Sequence, residues 1–164
     1  MRDLHAPAPP PVRLGHVDDD SVAVSVYVLV RHGAEQHPEL AGDIRASVRM
    51  RFADGYAPVR IDLRGDEIEV ADEPDGDDRA YDLELSGRLG DITALISAPL
   101  AGGLPKPTTR QGRRAIARLA DGRVNFDGSL ALARNLLRLL AVDTASAAKA
   151  PDARNRQPAA APER

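Results

Sequence analysis

Cysteine and tryptophan are missing from this 164-residue chain, and aromatic residues make up only 3% of it. Without cysteine there is no disulfide, no thiolate nucleophile and no Cys-ligated zinc or iron–sulfur centre. The lack of disulfides fits a reducing compartment. A core without tryptophan is built from Leu, Ile, Val and Ala, small pieces that leave voids more readily than aromatic rings do. Long apolar runs are also missing: Val22–Val30 is nine residues, against the ~20 needed to cross a bilayer. Met1–Val12 is proline-rich and lacks the apolar stretch of a signal peptide. An excess of positive charge is absent too. The net charge of −3 and a pI near 5.8 argue against nucleic-acid binding, which depends on neutralising phosphates. These absences together lead us to expect a soluble, cytoplasmic protein.

Catalytic signatures are missing as well. No Gly-x-Ser-x-Gly elbow, Ser-x-x-Lys, Walker loop or Gly-x-Gly-x-x-Gly after a strand is present. Of the four histidines, His5 and His16 fall in the N-terminal stretch, and His32 and His37 are five apart, which is not the i, i+4 spacing of a helical metal pair. The acidic run Asp72–Asp78 lacks the ligand spacing and terminal Glu of a calcium loop. Arg64-Gly65-Asp66 reads as a turn between strands. We therefore expect no enzyme activity, no metal and no cofactor.

What is present is alternation. Between Ser47 and Ser86, apolar residues occupy every second position in four runs: Val48, Met50, Phe52; Val59, Ile61, Leu63; Ile68, Val70; and Tyr81, Leu83, Leu85. The residues between them are almost all charged. Period two puts one set on each face of a pleated strand, so this region predicts an antiparallel meander with one greasy face and one charged, wet face. Asp54-Gly55 and Arg64-Gly65-Asp66 supply the turns, and 74–78 a wider loop. Flanking this region, 1–19 reads as a flexible Pro/Ala-rich arm and 144–164 as a disordered tail, leaving 20–143 as the folded domain.

Ser21–Ala46 is open to two readings. Alternating valines favour a strand, whereas Asp20-Ser21 can cap a helix with Val24, Val28 and Leu29 on one side. After Gly87 the period changes. Arg88–Ser97 predicts a short amphipathic helix, and AGGLPKP a loop. Thr108 or Thr109 caps a helix reaching about Ala120, Arg123–Phe126 forms a brief strand, and Gly128-Ser129 opens a last helix through Ala141. At 100° per residue the last helix is apolar over roughly 200°, twice the stripe a surface helix needs. One neighbour of that face is the sheet; the other is a helix, a second subunit in a homodimer, or a bound ligand. The preceding helix gathers Arg110, Arg113, Arg114 and Arg118 on one side. That pattern suits an anionic membrane surface, or a solvated face paired with the acids of 66–84.

Several segments resemble the sterol carrier protein type two-like lipid-binding domain family. Asp82-Leu83-Glu84-Leu85-Ser86-Gly87 followed by Asp91-Ile92-Thr93-Ala94-Leu95 is similar to its strand-then-helix segment. Gly122–Ala133 resembles its Gly–strand–Gly–leucine helix signature, and Pro107–Ala115 the Pro–helix–Ala stretch before it. The resemblance spans about Ser21–Val142. It implies that Ser21–Ala46 is helical and that the fold is α+β, a five-stranded, mostly antiparallel sheet with helices packed on one face. It also implies an apolar tunnel for a fatty acid, sterol or other lipid. The stretch Ala98–Arg114 is longer and more basic than is usual in the family. On this basis the expected lipid-lining residues are Phe52, Ile61, Leu63, Ile68, Val70, Leu83, Leu85, Ile92, Leu95, Leu132, Leu136 and Leu140. Arg110, Arg114 and Arg118 are expected to meet a lipid headgroup or an anionic membrane. The alternative is an accessory module that docks a partner enzyme and holds no lipid; the resemblance allows an accessory role, since some bacterial relatives serve as accessory domains or binding partners of biosynthetic enzymes.

Overall fold

A computed structural model describes residues 8–74 and 76–142. The expected tail at 144–164 and the first seven residues of the arm lie outside the described residues, as does Asp75.

The chain begins with β1 (Val12–Leu14), followed by α1 (Ala23–Gln36) and α2 (Pro38–Asp43). Then come β2 (Arg45–Phe52), β3 (Val59–Arg64), β4 (Ile68–Asp72) and β5 (Leu83–Gly87). The remainder is α3 (Leu89–Ile96), β6 (Leu100–Ala101), β7 (Leu104–Pro105), α4 (Arg110–Ala120), β8 (Val124–Gly128) and α5 (Leu130–Leu140). Six strands make one sheet in the order β1-β4-β3-β2-β5-β8, and β6-β7 is a separate hairpin. The sheet thus has six strands rather than the five expected, and it is mixed: three of its pairings are antiparallel and two are parallel.

Two features of strand pairing account for the difference. Val12–Leu14, inside the stretch read as a flexible arm, pairs in parallel with β4, Val12 opposite Ile68 and Leu14 opposite Val70. Secondly, β5 does not continue the meander. It pairs in parallel with β2, Val48 opposite Leu83, so 73–82 must carry the chain past β3 and β2 to the far side. The AGGLP segment is not a plain loop. Gly102 and Gly103 take φ of 59° and 79°, the left-handed pair that a two-residue hairpin turn requires, and Leu100 lies opposite Pro105.

Of Ser21–Ala46, expected to be helical, Ala23–Gln36 and Pro38–Asp43 are helix and not strand, whereas Arg45 and Ala46 already belong to β2. The residues α1 buries are Ala23, Val26, Val30, Gly33 and Ala34, a three-and-four spacing. Tertiary burial of that stripe outweighs the strand propensity of its valines. The start of α1 is tied to the sheet by Asp72, 4% exposed at the end of β4. Its carboxylate accepts the Asp18 backbone N–H at 2.7 Å and the Ser21 hydroxyl, and Ser21 Oγ accepts the Ala23 N–H at 2.8 Å.

Helices and sheet share one apolar core. On the sheet, Val70, Ile61, Val48 and Leu83 form one lateral row, each 0% exposed. Above it, α5 buries Leu136, Leu137, Leu139 and Leu140. Its wide leucine face is taken up by the core and by α1, which packs along it. The two helices meet backbone to backbone, because a Cβ built on Gly33 would lie 1.9 Å from the Leu139 carbonyl oxygen. Only glycine permits that approach.

Candidate functional site

The expected lipid-lining residues are brought together, as side chains packed on one another. Phe52, Ile61, Leu63, Ile68, Val70, Leu83, Leu85, Ile92, Leu95, Leu136 and Leu140 are between 0% and 8% exposed, and Leu132 is half-buried. Phe52 also borders a cleft of about 300 Å³ with Gly87 and Arg123, and Leu63 one of about 440 Å³ with Asp62 and Arg79. Both clefts lie at margins of the sheet rather than under the helices.

A larger cleft, of about 620 Å³, opens where the ends of three segments converge. Gly33, Gln36 and His37 come from the end of α1. Ala98, Pro99, Leu100, Gly102 and Gly103 come from the turn after α3 and the small hairpin. Arg138, Ala141 and Val142 come from the end of α5. The hairpin is held against α5 at Gly103, where a Cβ would lie 2.9 Å from the Arg134 carbonyl oxygen. Because Gly33 is also where α1 and α5 touch, the cleft meets the helix–helix seam. Its volume is within the usual range for small-molecule sites. Its walls mix small apolar side chains with one guanidinium and one imidazole, and carry no carboxylate. Sequence reasoning missed this cleft, because none of its residues belongs to the alternating runs. The paired glycines of the hairpin were the available signal.

Among the described residues, no three His, Asp or Glu side chains stand together in a way that could hold a metal. No helix among them is long and apolar enough to cross a membrane. Arg110 and Arg114 are exposed on α4. Arg118 is not free for a headgroup: its Nε donates to Asp91 Oδ1 at 2.8 Å.

The outer face of the sheet is less wet than its sequence suggests. From the crossover after β4, Glu73, Asp77, Arg79 and Tyr81 reach its side chains or one another. Asp62 is 6% exposed and accepts from Arg79 at 2.9 Å, and Arg60 donates to Glu69 at 2.8 Å. Arg60 Nε faces Asp62 Oδ2 at 3.2 Å, close enough for an ion pair but too poorly aligned for a hydrogen bond. Arg49 reaches Glu73 and, at 3.3 Å, Glu84. Tyr81 is stacked beneath two guanidiniums, Arg49 at 4.4 Å and Arg79 at 5.2 Å from the ring centre. Its hydroxyl donates to Glu73 at 3.1 Å. Burial, reinforced by that bond to Glu73, pushes the Tyr81 phenol above its ordinary 10.

No protein-family model matches the chain, and no curated protein matches it by sequence. Solved structures do. A UbiJ-SCP2 ubiquinone synthesis protein superposes with a TM-score of 0.51 at 13% identity, covering 73% of this chain and 92% of that one. The sterol carrier protein domain 2 of Helicoverpa armigera superposes with a TM-score of 0.50 at 15% identity, covering 77% and 91%. A helical layer over one face of this sheet, matched over nine-tenths of both structures, identifies the architecture of the chain as the SCP2-like fold of the sterol carrier protein domains.

Proposed function

We propose that the protein is a non-catalytic carrier of an apolar ligand, a fatty acid, sterol or other lipid, taken up between the helical layer and the inner face of the sheet. The observation that carries this reading is the cleft of about 620 Å³ at the α1–α5 seam, which adjoins an unbroken apolar core. The closed packing makes uptake an exchange. An acyl chain gains about 0.8 kcal/mol per buried methylene. Parting the leucines of α5 from the sheet forfeits about 1.5–3 kcal/mol for each side chain left exposed. A chain of a dozen methylenes therefore outweighs the displacement of two or three leucines, provided it covers the surfaces that it separates. The fold likeness to a sterol carrier protein domain supports the same reading.

Organic extraction of the purified protein followed by mass spectrometry is the test. A stoichiometric lipid, or saturable uptake of a fluorescent fatty acid, is the expected result. A protein that is empty and takes up no probe would be an interaction module instead. Leu136→Ala, which removes a side chain 1% exposed at the heart of α5, should cost about 2–5 kcal/mol of stability and change the preferred chain length. If the folded variant takes up every lipid as the parent does, Leu136 is not part of the lining.

A further inference from the structure

The net charge of −3 conceals a separation of charge along the chain. The first 96 residues hold twenty carboxylates and ten Lys or Arg, whereas Ser97–Val142 holds two carboxylates and eight Lys or Arg. From Ser97 to Ala120 there is no acid at all. Helix α4 lies in that run and buries only Gly112 and Ala115. Its outward arc presents Arg110, Arg113 and Arg114, all exposed, and Ile116, 38% exposed, flanks that arc on the Arg113 side. The one ion pair that α4 makes to an acid among the described residues is Arg118 with Asp91. On the outer sheet face, by contrast, Arg49, Arg51, Arg60 and Arg64 each face a carboxylate. Arg110 and Arg114 are an i, i+4 pair of like charge, an arrangement that destabilises an isolated helix. An external polyanion would relieve it.

We propose that the exposed face of α4 docks the protein on an anionic lipid bilayer. Arg110, Arg113 and Arg114 meet headgroup phosphates, and Ile116 enters the interface. A planar surface suits a patch confined to one face of an 11-residue helix. A nucleic acid suits it less. The arc carries no aromatic ring on which a base could stack. The inference stands apart from the carrier reading, since a ligand-free protein would dock equally well.

Co-sedimentation of the full chain with vesicles tests it. Binding is expected to phosphatidylcholine vesicles containing phosphatidylglycerol, to weaken with added salt, and to be absent with pure phosphatidylcholine. The triple variant Arg110→Gln, Arg113→Gln, Arg114→Gln should bind on the order of 100-fold more weakly, since each basic residue contributes about a factor of five at such a surface. The control Arg13→Gln, Arg31→Gln, Arg64→Gln removes three exposed guanidiniums elsewhere and should bind as the parent does. Circular dichroism confirms that both variants are folded. Equal loss in both triple variants, equal binding to neutral vesicles, or displacement from anionic vesicles by a stoichiometric RNA oligomer would overturn the proposal. Lipid extraction from the triple variant reads the carrier function separately.

Discussion

Under the helices, the sheet buries Val48, Ile61, Val70 and Leu83 in a continuous row. On the opposite face the same strands present Arg49, Arg60, Asp62 and Glu84 to a ten-residue crossover, 73–82. The first face is closed by shape and is indifferent to direction, so any side chain of the right volume helps it. The second is closed by charge and depends on geometry: Asp62 serves Arg79 and Arg60 together, and Tyr81 lies under two guanidiniums. On the proposed carrier reading, the first face gives way to an oily guest and closes again. The other holds the strands in register while it does so.

Breaking the inner closure should have the largest effect. Gly33→Val places a branched side chain where a Cβ would already be 1.9 Å from the Leu139 carbonyl, so α1 and α5 must separate. We expect a loss of about 4 kcal/mol or more in urea unfolding. A loss below about 1 kcal/mol would mean that the seam yields freely. On the outer face, Asp62→Asn keeps the shape and removes the charge, leaving Arg60 and Arg79 without their shared counter-ion. Because Arg79 is 40% exposed, water compensates in part, and about 1–3 kcal/mol is expected. A fall matching that of Gly33→Val would show that the charged face, not the core, governs stability.

Tyr81→Phe should have the smallest effect. It removes one hydrogen bond to Glu73, a loss of about 0.5–1.5 kcal/mol at neutral pH. The Tyr81 phenol holds its proton more tightly in the folded state than in the unfolded one. Its contribution is therefore complete below the ordinary tyrosine range and lost as pH rises through the raised folded value. Absorbance of tyrosinate should show Tyr81 ionising later than an ordinary phenol, and that late component should vanish in Tyr81→Phe. A variant whose alkaline unfolding and titration match the parent would remove Tyr81 from the account.

Alternation made β2 to β5 legible, since Val48, Ile61 and Leu83 mark an inward face whatever the strand order. Order itself was harder to read. Two-residue turns announce neighbours, but 73–82 exceeds the two to five residues usual in a hairpin, and that length was the sign of a crossover. Helix α1 was ambiguous because Val24, Val26 and Val28 satisfy a period of two while Ala23, Val26 and Val30 satisfy the helical one; only packing against α5 separates them. Strand β1 was hidden because three residues carry almost no periodicity, and its partner is supplied by the fold. The residues expected to line a ligand site form a set by their shared buried face. Whether they enclose space depends on sub-ångström packing, which pattern does not encode.

The short N-terminal strand has a practical consequence. With β1 in place, the backbone of β4 is covered along Ile68–Val70. A version trimmed to begin at α1 would leave that row of amides bare at the end of a twisted ribbon, next to side chains as oily as Ile68 and Val70. Bare rows of that kind recruit strands from other molecules. Shortening this chain to its apparent minimum would thus yield a polymerising protein, and affinity tags belong ahead of residue 8 rather than in its place.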